Sequence, residues 1–124
     1  MGEINIDIIP VPKPRMVKSD SWKERPIVLS YWAYKKELIL RAKFAKLKLE
    51  EELNVVFYLP MPETWSKKKK EAMNDKPHQQ TPDGDNLLKS LQDCLCSQDN
   101  FIWKVSYEKR WGYKGRIVFK TIEK

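Results

Sequence analysis

Two carboxylates one residue apart, Asp83 and Asp85, stand in the run Pro82-Asp83-Gly84-Asp85-Asn86-Leu87-Leu88-Lys89, where the residue pattern predicts the start of a helix. Side chains two apart in an extended segment point the same way, so both acids can aim at one point if Gly84 is extended. Acids so placed suit a hard divalent cation beside a phosphate, where the cation lowers the pKa of a water and offsets charge growing on the phosphate oxygens. Lys89 and Asp93 follow Asp85 at i+4 and i+8, on one stripe of the predicted helix. A plainer reading is open for each residue. Aspartate is a good helix cap and turn residue, and Asp-Lys-Asp at this spacing makes an ordinary surface ion-pair ladder. The more specific reading is metal-dependent phosphodiester hydrolysis, with one ion or two.

The rest of the chain carries the opposite charge. Twenty-four Lys and Arg stand against 17 Asp and Glu in 124 residues, a net charge of +7 that favours a polyanionic partner, nucleic acid first. The excess gathers in Trp65-Ser66-Lys67-Lys68-Lys69-Lys70 and in the C-terminal third, where Lys109, Arg110 and Lys114 alternate with Tyr107, Trp111 and Tyr113. Lysines of this kind neutralise phosphates, and an aromatic such as Trp65 packs on a sugar or base. Against that, a lysine run also serves as a solvated face, and Trp111 can cover the core. Cys94 and Cys96 diverge on a helix and are expected to be free thiols, and with His78 as the single histidine a zinc site is not expected. No stretch reaches the ~18 apolar residues of a membrane span and no secretory signal opens the chain, so an intracellular protein is expected.

The elements that must position these residues are read from periodicity. Ile4, Ile6 and Ile8 alternate with polar residues as a short strand stopped by Pro10, Pro12 and Pro14, and residues 14–30 read as a loop. An amphipathic helix capped near Ser30 carries Tyr34, Leu38, Ala42, Ala45 and Leu49 on one face. Leu53, Val55, Phe57 and Leu59 form a strand expected to be central, and Thr64 or Ser66 begins a short basic helix. With Asp85 as N-cap, Leu87, Leu88, Leu91 and Leu95 face the core while Asn86, Lys89 and Asp93 face away. Strands over 101–108 and 116–122 are expected to pair as a hairpin through Gly112 and Gly115. The prediction is a single small α+β domain over residues 1–124, a mixed sheet of about four strands against two main helices.

Taken together, Trp65 to Lys70, His78, Pro82-Asp83-x-Asp85-Asn86-Leu87-x-Lys89-x3-Asp93-x-Leu95 and Asp99-x2-Ile102 resemble the RusA family of Holliday junction resolvases, over at least residues 53 to 120. The resemblance implies a homodimer that cuts four-way DNA junctions with Mg²⁺, Mn²⁺ substituting, in a bacterial or phage setting of recombination and repair. It implies Asp83, Asp85 and Asp99 as metal ligands, Lys89 as the essential lysine, and Asn86 and Asp93 as supporting residues that hold the helix start and the lysine. His78 joins Trp65, Lys67, Lys68, Lys69, Lys70, Lys109, Arg110 and Lys114 as the residues expected to face DNA. The family pattern has two adjacent acids where this chain has Gln98-Asp99, so one acid remains there. A helix running from Asp85 to about Cys96 is roughly 16 to 18 Å long, which leaves Asp99 to return within its own chain or to reach the site of a second one. The rival functions are a basic nucleic-acid-binding protein without catalysis and a metal-dependent nuclease with another structure preference.

Overall fold

Alternation of Ile4 and Ile6 with polar neighbours forms the first strand, β1 (Glu3–Ile6), in a computed structural model that describes residues 3–14, 26–49, 51–95 and 102–120. The chain then continues through α1 (Pro26–Phe44), β2 (Glu52–Pro60), α2 (Lys67–Met73), α3 (Gly84–Leu95), β3 (Lys104–Gly112) and β4 (Arg116–Lys120). The strands make one mixed sheet in the order β1-β4-β2-β3, with β2 central as expected.

The predicted hairpin does not form. β3 runs parallel to β2 with Val55 opposite Tyr107 and Phe57 opposite Lys109, while β4 runs antiparallel on the other side of β2, with Phe57 opposite Ile117. Gly112 and Gly115 therefore bracket a crossing from one flank of β2 to the other, which a turn signature in sequence cannot distinguish from a hairpin loop. β4 also takes β1 as its outer neighbour, pairing Glu3 with Lys120 and Ile6 with Ile117.

Both long helices pack on one face of the sheet. From that face Ile6, Leu53, Val55, Phe57, Leu59, Ile117 and Phe119 meet Tyr31, Tyr34, Leu38 and Ala42 of α1 and Leu87, Leu91 and Cys94 of α3. Side chains such as Phe57, Leu87 and Ile117, with no solvent exposure, each contribute roughly 1.5–3 kcal/mol by leaving water. The opposite face carries polar pairs, among them Ser106 with Asn54, Arg110 with Glu108 and Arg116 over the Tyr58 ring.

α1 departs from its predicted limits at both ends. Pro26 is its first residue, a position where the missing amide is no loss, so the helix begins inside the stretch expected to be a loop. It stops at Phe44 because Lys46 turns left-handed (φ 58°), with the amides of Lys46 and Leu47 bonding back to Lys43 and Ala42. A glycine usually marks that turn, and here a lysine makes it. Nor is the helix amphipathic as predicted: Leu29, Trp32, Leu40 and Phe44 are exposed on the side away from the core.

Candidate active site at the start of α3

The first turn of α3 closes on Asp83, whose carbonyl accepts from the Leu87 amide at 3.2 Å, so the cap lies two residues before the predicted Asp85. Gly84 and Asp85 are helical, which removes the argument that an extended Gly84 aligns the two carboxylates. Both acids stand instead at the helix N-terminus, whose free amides and dipole favour negative charge. Gly84 is required for space rather than for an unusual backbone angle. A Cβ there would be driven into the Tyr107 ring, with Cζ at 2.8 Å and Oη at 2.9 Å, so α3 begins against the surface of β3.

Beside that contact, Lys109 projects from the helix-side face of β3 and donates to the carbonyls of Gln80 at 2.7 Å and Pro82 at 2.8 Å. Its ammonium thus has an internal role, clamping the segment that leads to Asp83. The same stretch is tied to the strand through backbone bonds from the His78 amide to Lys109 and from the Trp111 amide to Lys76. Tyr107 and Lys109 together make β3 the base plate on which the acid pair is mounted.

Asp83, Asp85 and Lys89 are exposed, and no ion pair joins any of them to another described residue. The ion-pair ladder is absent. Asp93, expected to support Lys89, turns to the other side: it accepts from Tyr31 Oη and lies 3.5 Å from Lys13 Nζ and 3.7 Å from Lys35 Nζ. The tyrosine hydrogen bond, aided by both lysines, lowers its pKa, while burial and that bond push Tyr31 up. Asp93 is therefore a tie between α3, α1 and the segment after β1, where the Lys13 amide also bonds the Asn86 carbonyl at 3.4 Å. Tyr31, Lys13, Lys35 and Tyr107 were not singled out as partners of the site from sequence. Tyr31 shares the core face of α1, where a hydroxyl reads as one more apolar position.

The expected DNA-facing residues divide by placement. Ser66 caps α2 by accepting from the Lys69 amide, and Lys67, Lys68 and Lys69 are exposed with Lys70 half-buried. Trp65 packs on Trp111 with ring centres 4.8 Å apart, and Lys69 lies 4.2 Å over the Trp65 ring. His78, expected to face DNA, is 5% exposed and packs its ring tilted against Trp111 with centres 4.2 Å apart; burial, then the Lys109 charge, lowers its pKa. Arg110 sits on the sheet face away from the helices, bonded to Glu108 and to the Asp75 carbonyl, and Lys114 pairs with Asp7. Trp111 and Lys109 share a face of β3 two residues apart, about 7 Å, which puts α2 at the same end of the sheet as the acid pair.

Asp99 lies outside the described residues, as does Cys96. Of the described residues that follow, the Trp103 amide bonds the Glu51 carbonyl, and Lys104 is about 16 Å along β3 from the Lys109 clamp. Among the described residues no three Asp, Glu, His or Cys side chains come together as a metal cage. Two exposed carboxylates at a helix start nonetheless fit Mg²⁺, which keeps most of its waters and takes one or two carboxylates plus substrate phosphate. No helix is long and apolar enough to cross a membrane among the described residues.

Comparison with curated proteins and with solved structures gave no match. A family model described as endodeoxyribonuclease RusA matches residues 6–121, nearly the whole chain, and spans both the acid pair and the β3 strand that supports it. The chain belongs to the RusA family of endodeoxyribonucleases, which resolve Holliday junctions.

Proposed function

We propose that the protein is a homodimeric, Mg²⁺-dependent resolvase that cuts two strands of a four-way DNA junction during recombination and repair, with Mn²⁺ able to replace Mg²⁺. The observation that carries this reading is the pair of exposed carboxylates, without an ion pair among the described residues, at the start of α3 with Lys89 one turn further on. A four-way junction has approximate two-fold symmetry, so two copies related by a two-fold axis present matching sites to two strands.

Asp83 and Asp85 hold the cation, and Asp99 adds a third carboxylate, from the same chain or from the second copy. When bound, the cation acts as a Lewis acid and lowers the pKa of a water. The water oxygen adds to phosphorus and gives up a proton to solvent, one P–O ester bond breaks, and the leaving oxygen takes up a proton from solvent. Lys89 balances the extra negative charge of the transition state. The exposed lysines of α2, at the same end of the sheet, hold the flanking phosphates through contacts that weaken as salt rises.

The test is cleavage of labelled four-way and linear duplex DNA with Mg²⁺ or chelator. Paired nicks in the junction with Mg²⁺, absent with chelator, are expected. Asp83→Asn or Asp85→Asn should abolish cleavage while binding stays equal or tightens, because a negative charge beside the phosphate is removed. A wild-type protein that binds the junction and leaves it intact with Mg²⁺ would establish the non-catalytic alternative.

A further inference from the structure

Among the described residues β3 is an edge strand, and its outer side is covered over only part of its length. At the far end the segment 75–78 lies along it: the amides of Asp75 and His78 bond the carbonyls of Trp111 and Lys109, and the Trp111 amide bonds Lys76. Odd-numbered residues of β3 therefore turn their backbone groups away from β2. By the same alternation the amides and carbonyls of Val105 and Tyr107 face that open side, and no described strand pairs with them. Trp103 (68% exposed), Val105 (38%) and Tyr107 (42%) add apolar surface to this window. An uncovered strand edge of this kind is a template for another strand.

We propose that the window pairs antiparallel with the same window of a second copy, about a two-fold axis through Ser106. In the segment Lys104-Val105-Ser106-Tyr107-Glu108 the charges at mirror positions about Ser106 are opposite in sign. Around that axis Val105 of one copy exchanges both backbone hydrogen bonds with Tyr107 of the other, which satisfies all four open groups on each chain. On the helix-side face Val105 meets Tyr107. On the opposite face Lys104 meets Glu108, opposite charges directly across a pair. In the single chain both charges lie at the surface, Lys104 3.7 Å from Glu52 and Glu108 2.7 Å from Arg110, so each is available for rearrangement. A neighbouring register either fails to align the outward-facing groups or sets Lys104 against Ser106, against Arg110 or against Lys104 of the other copy, none of them an opposite charge. A second copy is the occupant because an edge with opposite charges at mirror positions closes on itself isologously. The result is one continuous eight-stranded sheet, and this placement rests on the homodimeric reading above.

Sedimentation equilibrium and oxidative cross-linking test it without DNA or metal. Lys104→Glu and Glu108→Lys each set like charges opposite and should weaken the dimer about tenfold. An equimolar mixture of the two variants restores both pairs and should recover wild-type association. In the proposed register Ser106 faces its counterpart in a non-hydrogen-bonded pair, about 4.5 Å between Cα atoms, within the reach of a disulfide. Ser106→Cys should therefore become a covalent dimer on oxidation, while the wild type, with its own Cys94 and Cys96, and Lys104→Cys do not. A wild-type dimer that ignores both charge reversals and leaves Ser106→Cys unlinked would overturn this surface and leave the two-site reading intact. A monomer at all concentrations would overturn both, and junction nicking assayed separately would then stand as the act of a single chain.

Discussion

Lys109 shows how far a residue's work can lie from what its letter suggests. Within a run of basic and aromatic residues it reads as a phosphate contact, yet it spends its ammonium on two carbonyls 29 and 27 residues earlier in the chain. Strand alternation separates Lys109 from Arg110 onto opposite faces because β3 continues to Gly112, whereas the strand expected from sequence ends at 108. The acceptors were not legible either, because backbone carbonyls leave no trace in residue type. Lys109→Met should cost about 1–2 kcal/mol of stability from two lost charge-assisted bonds, seen in thermal melting. It should lower single-turnover cleavage about tenfold, because Asp83 loses its mount. Junction affinity should change far less, in contrast to what removal of a phosphate contact would do. Lys109→Arg, which keeps the charge and donors, should recover part of the rate.

At the scale of elements, α3 was legible almost completely: the leucine spacing gave its core face, and Asn86, Lys89 and Asp93 do lie off it. Its start was displaced because Asp83 and Asp85 are equally good caps by type, and Gly84 weakens a helix only as a propensity, which packing against Tyr107 overrides. That packing predicts a rescue. Gly84→Ala should destabilise the fold by about 1–3 kcal/mol through overpacking, and adding Tyr107→Ala should return much of the loss; denaturant melts of the two singles and the double measure it. The segment 75–82 carries a titration as well. Burial keeps the folded pKa of His78 below its ordinary value near 6.5, so the unfolded chain binds the extra proton first. Stability from this residue is present above that value and declines as pH falls through the interval between the unfolded and folded pKa. Melts between about pH 7 and pH 5 should show this slope, and His78→Phe, which keeps the stack on Trp111, should flatten it.

At the scale of the whole molecule, strand count, the central place of β2 and the α+β class were legible, whereas the sheet order was not. Period-two patterns identify strands but carry no record of which strand lies beside which. The same limit applies to the proposed site, where Asp99 enters only through the motif and the sequence does not say which chain's Asp83 it would join. Mixing Asp83→Asn with Asp99→Asn chains settles that in a cleavage assay. Recovery in the mixture, absent from either variant alone, is expected if the acids meet across two chains, and an inactive mixture if each site is built within one. The neighbourhood of β1 and β4 has a different bearing, on biosynthesis. With Glu3 placed opposite Lys120, the opening strand has no hydrogen-bonded strand partner until the final one has been made. The central strand also stays bare along one side until then. Such long-range pairing slows folding. A nascent chain halted before Arg116 thus presents two unzipped borders at once, and premature termination yields a species that sticks to its neighbours rather than a smaller working nuclease.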